Sequence, residues 1–161
     1  MLFRSHALSE DPRACRRLVT VMGASAFLGS AIANRPELGD DALFSRVIPT
    51  PSSARATVRS ELAAARAAGE AEDDADVLVG ALRRAQARTT IEVGLADLAG
   101  EIDTRDASLA LAAVADEVLE RALAHTMGAN DARGLAVIAM GKLGGQEIGY
   151  GSDLDVIFVF D

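Results

Sequence analysis

With 161 residues the chain can hold one domain or parts of two, and half of its residues are apolar while only 4% are aromatic, so its core must be aliphatic. A formal net charge of −8 with no basic block speaks against nucleic-acid binding, in which Lys and Arg must neutralise phosphates. The one cysteine, Cys15, excludes an internal disulfide framework and a Cys-based zinc site.

Cys15 reads as a small helix residue kept reduced. Only His6 and His125 could serve it as a base, and neither lies in an evident site. No segment reaches the ~18 consecutive apolar residues of a membrane span. Met1-Leu2-Phe3-Arg4 is too short for a signal peptide before Asp11 interrupts the run. The expectation is a cytoplasmic protein that binds neither membrane nor nucleic acid.

Asp11-Pro12 predicts a helix start, an acceptor at the N-cap followed by proline at the first helical position. That helix carries Leu18, Val21 and Met22 on one side. Gly23-Ala24-Ser25-Ala26 has little side-chain bulk and marks a kink or a close contact. A second helix runs from about Ala26 to Asn34, where Pro36 ends it. Pro49 and Pro51 bracket a turn, with Ser52 or Ser53 capping a helix through about Ala68. Gly69 to Asp76 is acidic and reads as a solvated loop or a helix entry.

Val77, Leu78, Leu82, Ala85, Ile91, Leu95 and Leu98 recur at helical spacing, and Gly100 ends that helix. Another begins near Thr104, with Leu111, Val114, Val118, Ala122 and Leu123 as its buried stripe, expected to pack against a pair of strands near the end of the chain. Arg83, Arg84 and Arg88 are expected on a solvated face. The texture then changes. Leu135 to Met140 and Val156 to Phe160 are short, continuously apolar and rich in β-branched residues, which predicts two strands buried on both faces. The division is a helical region over 1–130 and an incomplete second domain over 131–161.

The link between the two strands admits three chemistries. Ala139-x-Gly141-x-x-Gly144, with Asp161 twenty residues after Gly141, imitates a dinucleotide fingerprint. It fails on the segment between, where Gly144, Gly145, Gly149 and Gly151 leave one to two helical turns in place of a crossover helix. A P-loop fails because Lys142 is followed by Leu143 and offers no hydroxyl to magnesium.

The third chemistry starts from Asp153 and Asp155. If the second strand begins near Asp153, both carboxylates project from one face and Leu154 turns into the core. Two such anions repel unless a cation lies between them, and their hard oxygens suit Mg²⁺ with substrate phosphates. Gly141 to Gly145 lets backbone N–H groups approach a phosphate. The ensemble fits nucleotidyl transfer. On spacing alone, an ordinary turn before a strand fits equally well.

The run Met140-Gly-Lys-Leu-Gly-Gly-Gln-Glu-Ile-Gly-Tyr-Gly-Ser-Asp-Leu-Asp-Val-Ile-Phe158 resembles the signature of the glutamine synthetase adenylyltransferase family, large bacterial enzymes with two nucleotidyltransferase domains joined by helical regions. Upstream, Gly23 to Gly29, Asn34 to Leu38, and Leu82 through Asp97-Leu98 resemble the helices that lead into a catalytic domain. The resemblance implies a mostly α N-terminal region followed by the start of an α/β (α+β) nucleotidyltransferase-fold domain. It implies an enzyme that adds AMP to a tyrosine of glutamine synthetase from ATP, or removes it with phosphate, under control of the nitrogen-signalling PII protein.

By position, Asp153 and Asp155 would be catalytic metal ligands for Mg²⁺. Gly141, Gly144 and Gly145 would form the nucleotide-phosphate turn, and Ser152 would shape or contact it. Seven residues separate Gly145 from Asp153, so either Gly141 or Gly145 can be the functional equivalent of the superfamily glycine. The superfamily also uses a third carboxylate on a later strand. Asp161 cannot replace it, lying about 20 Å along the strand from Asp155. A start at Met1 followed by helices favours the first, AMP-removing domain, whereas Gly149-Tyr-Gly-Ser-Asp153 looks more like the second, AMP-adding one. A non-catalytic helical docking module and a dinucleotide-binding protein are the rival classes.

Overall fold

The computed structural model describes residues 5–70, 74–128 and 134–160. Seven helices come first: α1 (Ser5–Glu10), α2 (Pro12–Ala24), α3 (Ala26–Asn34), α4 (Pro36–Phe44), α5 (Pro51–Ala67), α6 (Ala75–Leu98) and α7 (Thr104–Met127). A β-ribbon comes next, with β1 (Leu135–Ala139), the one-turn helix α8 (Gly141–Gly144) and β2 (Val156–Phe160). The expected boundary near residue 130, Met1 to Arg4 and Asp161 lie outside the described residues, as does the His6 side chain.

Local chemistry explains the helix limits. Asp11 accepts from the amides of Arg13 and Ala14, with Pro12 at the first position of α2. The small-residue stretch is a break: Ser25 leaves the helical conformation, and its hydroxyl caps α3 through the Leu28 amide. Nothing crowds Gly23, so no close contact is made there. Pro36 both stops α3 and starts α4. The cap of α5 is Thr50, one residue before Pro51. Ser53 completes a reciprocal capping box, and Ser52 does not cap. Asp74 and Asp103 cap the two long helices.

Helix α6 is the central element, buried on most of its circumference. Ile91 and Leu95 meet Ala14, Val21, Leu28, Ile32 and Leu43 of α2, α3 and α4. Leu82 and Ala85 meet Ala54 and Val58 of α5 and Val114 of α7. Val93 joins Ala107, Leu111 and Ala115 of α7 with Leu143 and Ile148 beyond it. A Cβ at Gly94 would come within 2.5 Å of the Leu28 side chain, so a side chain there would displace the residue through which α3 packs on α6.

Several expectations require correction. The buried face of α2 runs through Ala14, Arg17 and Val21, while Met22 is 58% exposed. Arg17 takes the inner position because its charge is partnered. It donates to the carbonyls of Ala42 (3.2 Å) and Ser45 (3.1 Å) and to Glu101. Arg84 and Arg88 are half-buried and bind Glu61, with Arg88 also paired to Glu92, whereas Arg83 is exposed. The α7 stripe divides between two clusters, Leu111 toward the ribbon and Val114, Val118 and Ala122 toward α5; Leu123 belongs to neither.

β1 and β2 pair antiparallel with Leu135 opposite Phe160 and Ala139 opposite Val156. The strands are not buried on two faces. Ala139 and Val156 pack against the α7 cluster, while Ile138, Ile157, Val159 and Phe158 are exposed and Phe160 is 78% exposed. None of the described helices is long and apolar enough to cross a membrane. Cys15 is a free, exposed residue of α2.

Candidate functional site

The glycine link begins where β1 ends. Met140 donates its amide to the Asp155 carbonyl at 2.8 Å, extending the ladder one residue past each strand. Gly141 then turns the chain with φ +52°, in the left-handed region that glycine enters without strain. Helix α8 begins there, and its N-cap residue Met140 provides no side-chain acceptor.

Backbone bonding decides which amides are free. Gly144 donates to Met140 (2.9 Å), Gly145 to Gly141 (3.0 Å), Gln146 to Leu143 (3.0 Å) and Glu147 to Lys142 (2.7 Å). The amides of Gly144 and Gly145 are therefore taken inside the turn. Those of Gly141, Lys142 and Leu143 have no acceptor among the described residues. Gly144 has a steric reason to be glycine, since a Cβ there would lie 2.6 Å from the Ala139 carbonyl oxygen. At Gly145 the conformation is ordinary and the nearest contact is 3.5 Å. Of the two glycines Gly141 and Gly145, Gly141 is the one beside amides that have no acceptor among the described residues.

Asp153 and Asp155 both precede β2, which starts at Val156, so the strand does not begin near Asp153 as expected. Both are exposed, and neither carboxylate has an ion pair or hydrogen bond with the described residues. The Asp155 carboxylate leans over the turn, where a Cβ at Gly141 would come within 2.7 Å of Oδ2. Leu154 is not turned into the core; it is 37% exposed, at the mouth of a narrow cleft between the link and α6 and α7. That cleft holds only about 80 Å³, far below the about 300–1,000 Å³ of small-molecule pockets, so it is a packing seam. Among the described residues no three His, Cys, Asp or Glu side chains gather as a metal cluster.

Ser152 shapes the link. Its hydroxyl accepts from the Gly149 amide (3.1 Å) and its own amide donates to the Gly149 carbonyl (3.2 Å). Between them, Tyr150 donates its hydroxyl to Asp97 Oδ2 on α6 at 3.0 Å. Leu143 and Ile148 bury the two flanks of the link against α7. The sequence points to Ser152 as a shaping residue but not to Leu143, Ile148 or the Tyr150–Asp97 bond as anchors. One signal does point to Tyr150, the only tyrosine of the chain, set between two glycines.

Residues 15–161 match the family model described as glutamate-ammonia ligase adenylyltransferase. The chain is 34% identical over 162 residues to the bifunctional glutamine synthetase adenylyltransferase/adenylyl-removing enzyme of Burkholderia mallei, covering 96% of this chain and 17% of the relative. The protein of the same name from Thioalkalivibrio sulfidiphilus is 33% identical over 169 residues, with the same coverage. The one from Mycobacterium marinum is 34% identical over 164 residues, covering 94% of this chain and 16% of the relative. The chain therefore spans about a sixth of the length of the curated relatives it matches. With nearly its whole length inside the match, the chain belongs to the glutamate-ammonia ligase adenylyltransferase family.

Proposed function

We propose that this chain supplies part of an adenylyl-transfer site acting on a tyrosine of glutamine synthetase in the cytoplasm, with Asp153 and Asp155 as its metal-binding carboxylates. The relatives carry adenylyltransferase and adenylyl-removing activities in their names. The observation that carries the reading is the placement of the Asp155 carboxylate over Gly141, next to three amides without an acceptor among the described residues. An acceptor for a cation and donors for a phosphate thus share one turn.

The donor set fits Mg²⁺, which takes one or two carboxylates and completes its shell with water and substrate phosphates. Among the described residues no cationic side chain pairs with Asp153 or Asp155, so no such ion pair has to be broken. When bound, Mg²⁺ would offset phosphate charge as the phosphorus changes partners. The amides of Gly141, Lys142 and Leu143 would hold phosphate oxygens, which is electrostatic stabilisation by fixed dipoles. Gly144 and Gly145 close the turn that presents them, and Ser152 holds the link in shape.

Adding AMP from ATP and removing it with phosphate exchange the same two kinds of oxygen on one phosphorus, so the arrangement suits either direction. Phosphorolytic removal is the direction proposed first. Addition from ATP is the second reading, favoured by the wording of Gly149 to Asp153. Control by the PII protein would reach the site through the rest of the enzyme.

The test uses the full-length protein with Asp153→Asn and Asp155→Asn. AMP transfer to glutamine synthetase from labelled ATP and phosphate-dependent AMP release are measured separately. One direction should fall at least about 100-fold, the scale of losing a key electrostatic group, and that direction identifies the domain. Wild-type rates in both directions would refute the proposal.

A further inference from the structure

We propose that Tyr150 is a positioning residue: its hydroxyl ties the link that carries Ser152, Asp153 and Asp155 to Asp97 of α6, so that the helical region sets where the two carboxylates sit. The catalytic consequence rests on the adenylyl-transfer reading; the tether itself does not.

Tyr150 lies three residues before Asp153 and is flanked by Gly149 and Gly151, which bring no side chains to anchor the chain. Apart from the turn closed by Ser152, the contacts that fix this stretch come from the helices. The phenol donates to Asp97 Oδ2 at 3.0 Å, and a Cβ on Gly151 would stand 3.8 Å from the Phe27 ring of α3. Burial, and then the hydrogen bond to Asp97, raise the affinity of the phenol for its proton, so it stays a donor at every physiological pH.

Asp97 is itself firmly placed. It lies in the last turn of α6, and four residues later Glu101 is gripped by Arg13 (2.7 Å) and Arg17 of α2. A path of directional bonds therefore runs from α2 through Glu101 and the end of α6 to the link. Leu143 and Ile148 supply only apolar contact, which resists separation but fixes orientation weakly. The phenol supplies the directional constraint from the helices that lies closest to the carboxylates.

The experiment compares wild type, Tyr150→Phe, Asp97→Asn and the double variant of the full-length protein. Hydrogen exchange reads residues 149–155, and Mn²⁺ titration reads cation affinity. Tyr150→Phe keeps the ring and loses the bond, so exchange in 149–155 should quicken about fivefold, as expected for one net hydrogen bond. Protection of α6 and α7 should stay at the wild-type level, and Mn²⁺ affinity should drop several-fold. Asp97→Asn keeps an oxygen acceptor and should be milder, and the double variant should be no worse than Tyr150→Phe. Unchanged exchange in 149–155, or a loss spread equally over α6 and α7, would overturn the tether. Faster local exchange with no Mn²⁺ binding that depends on Asp153 and Asp155, even in wild type, would uphold the tether and overturn the adenylyl-transfer reading.

Discussion

The Asp155 carboxylate lies over Gly141 at the mouth of the ribbon, with 2.7 Å between Oδ2 and the place a Cβ would occupy. Gly141 also has φ +52°, so a side chain there meets both a clash and an unfavourable backbone. Gly141→Ala is expected to cost about 1–2 kcal/mol for the left-handed conformation alone. It should also push Asp155 off the turn and weaken Mn²⁺ binding. Gly145→Ala, at an ordinary conformation, should do neither. Thermal unfolding and Mn²⁺ titration of the two variants check this, and equal effects would contradict it.

Arg17 is buried with one carboxylate partner, Glu101, shared with Arg13. Glu101→Ala leaves a buried guanidinium held only by carbonyls. Breaking such a pair typically costs about 3–5 kcal/mol, and the partial exposure of Glu101 places the expected loss near the lower end. Denaturant unfolding measures it. A loss of a few tenths would mean that the carbonyls of Ala42 and Ser45 suffice.

How far the sequence discloses the fold depends on the range of the interaction. Asp11-Pro12, the break at Ser25 and the glycine-bounded link are set by neighbours a few residues apart, and all are legible. Thr50 is obscured as a cap because Ser52 and Ser53 offer the same chemistry two or three residues later. Arg17 gives no sign of burial in the sequence because its partners lie 25 to 84 residues away. In the link, the position of the aspartates in the chain is visible. The bonds that occupy the amides of Gly144 and Gly145 are not, nor is the Tyr150–Asp97 bond, which spans 53 residues.

Acid should destabilise the helical region in part through Glu101 and Glu117. Burial alone would raise the Glu101 carboxyl, but hydrogen bonds from Arg13 and Arg17 outweigh it and hold the value below the ordinary 4.5. Glu117 is lowered likewise, burial being outweighed by Arg121, Arg59 and Arg55. A carboxylate lowered by folding contributes stability that is complete above its unfolded value and lost as pH falls through its folded value. The Tm should therefore be level down to about pH 5 and decline below about 4.5, where unfolded carboxyls take up protons. Glu101→Gln/Glu117→Gln should flatten that decline. An unchanged slope would mean that these pairs do not govern acid stability.

Leu111 lies in the cluster that joins α7 to Leu143 and Ile148. Leu111→Ala is expected to cost about 2–4 kcal/mol as a buried truncation and to loosen the link. Leu123→Ala, outside the three core clusters, should cost well under half as much. Chemical denaturation compares them, and a larger loss at Leu123 would contradict the packing described.

If Asp153 and Asp155 hold one divalent cation beside the Gly141 turn, the cation should be visible directly. Crystals of the full-length protein with Mn²⁺ and a non-hydrolysable ATP analogue allow it to be located by anomalous diffraction. The expected result is an anomalous peak ligated by both carboxylates, with phosphate oxygens of the nucleotide on the amides of Gly141 to Leu143. A nucleotide bound with its metal elsewhere, or the two carboxylates pointing to opposite sides of the link, would contradict it.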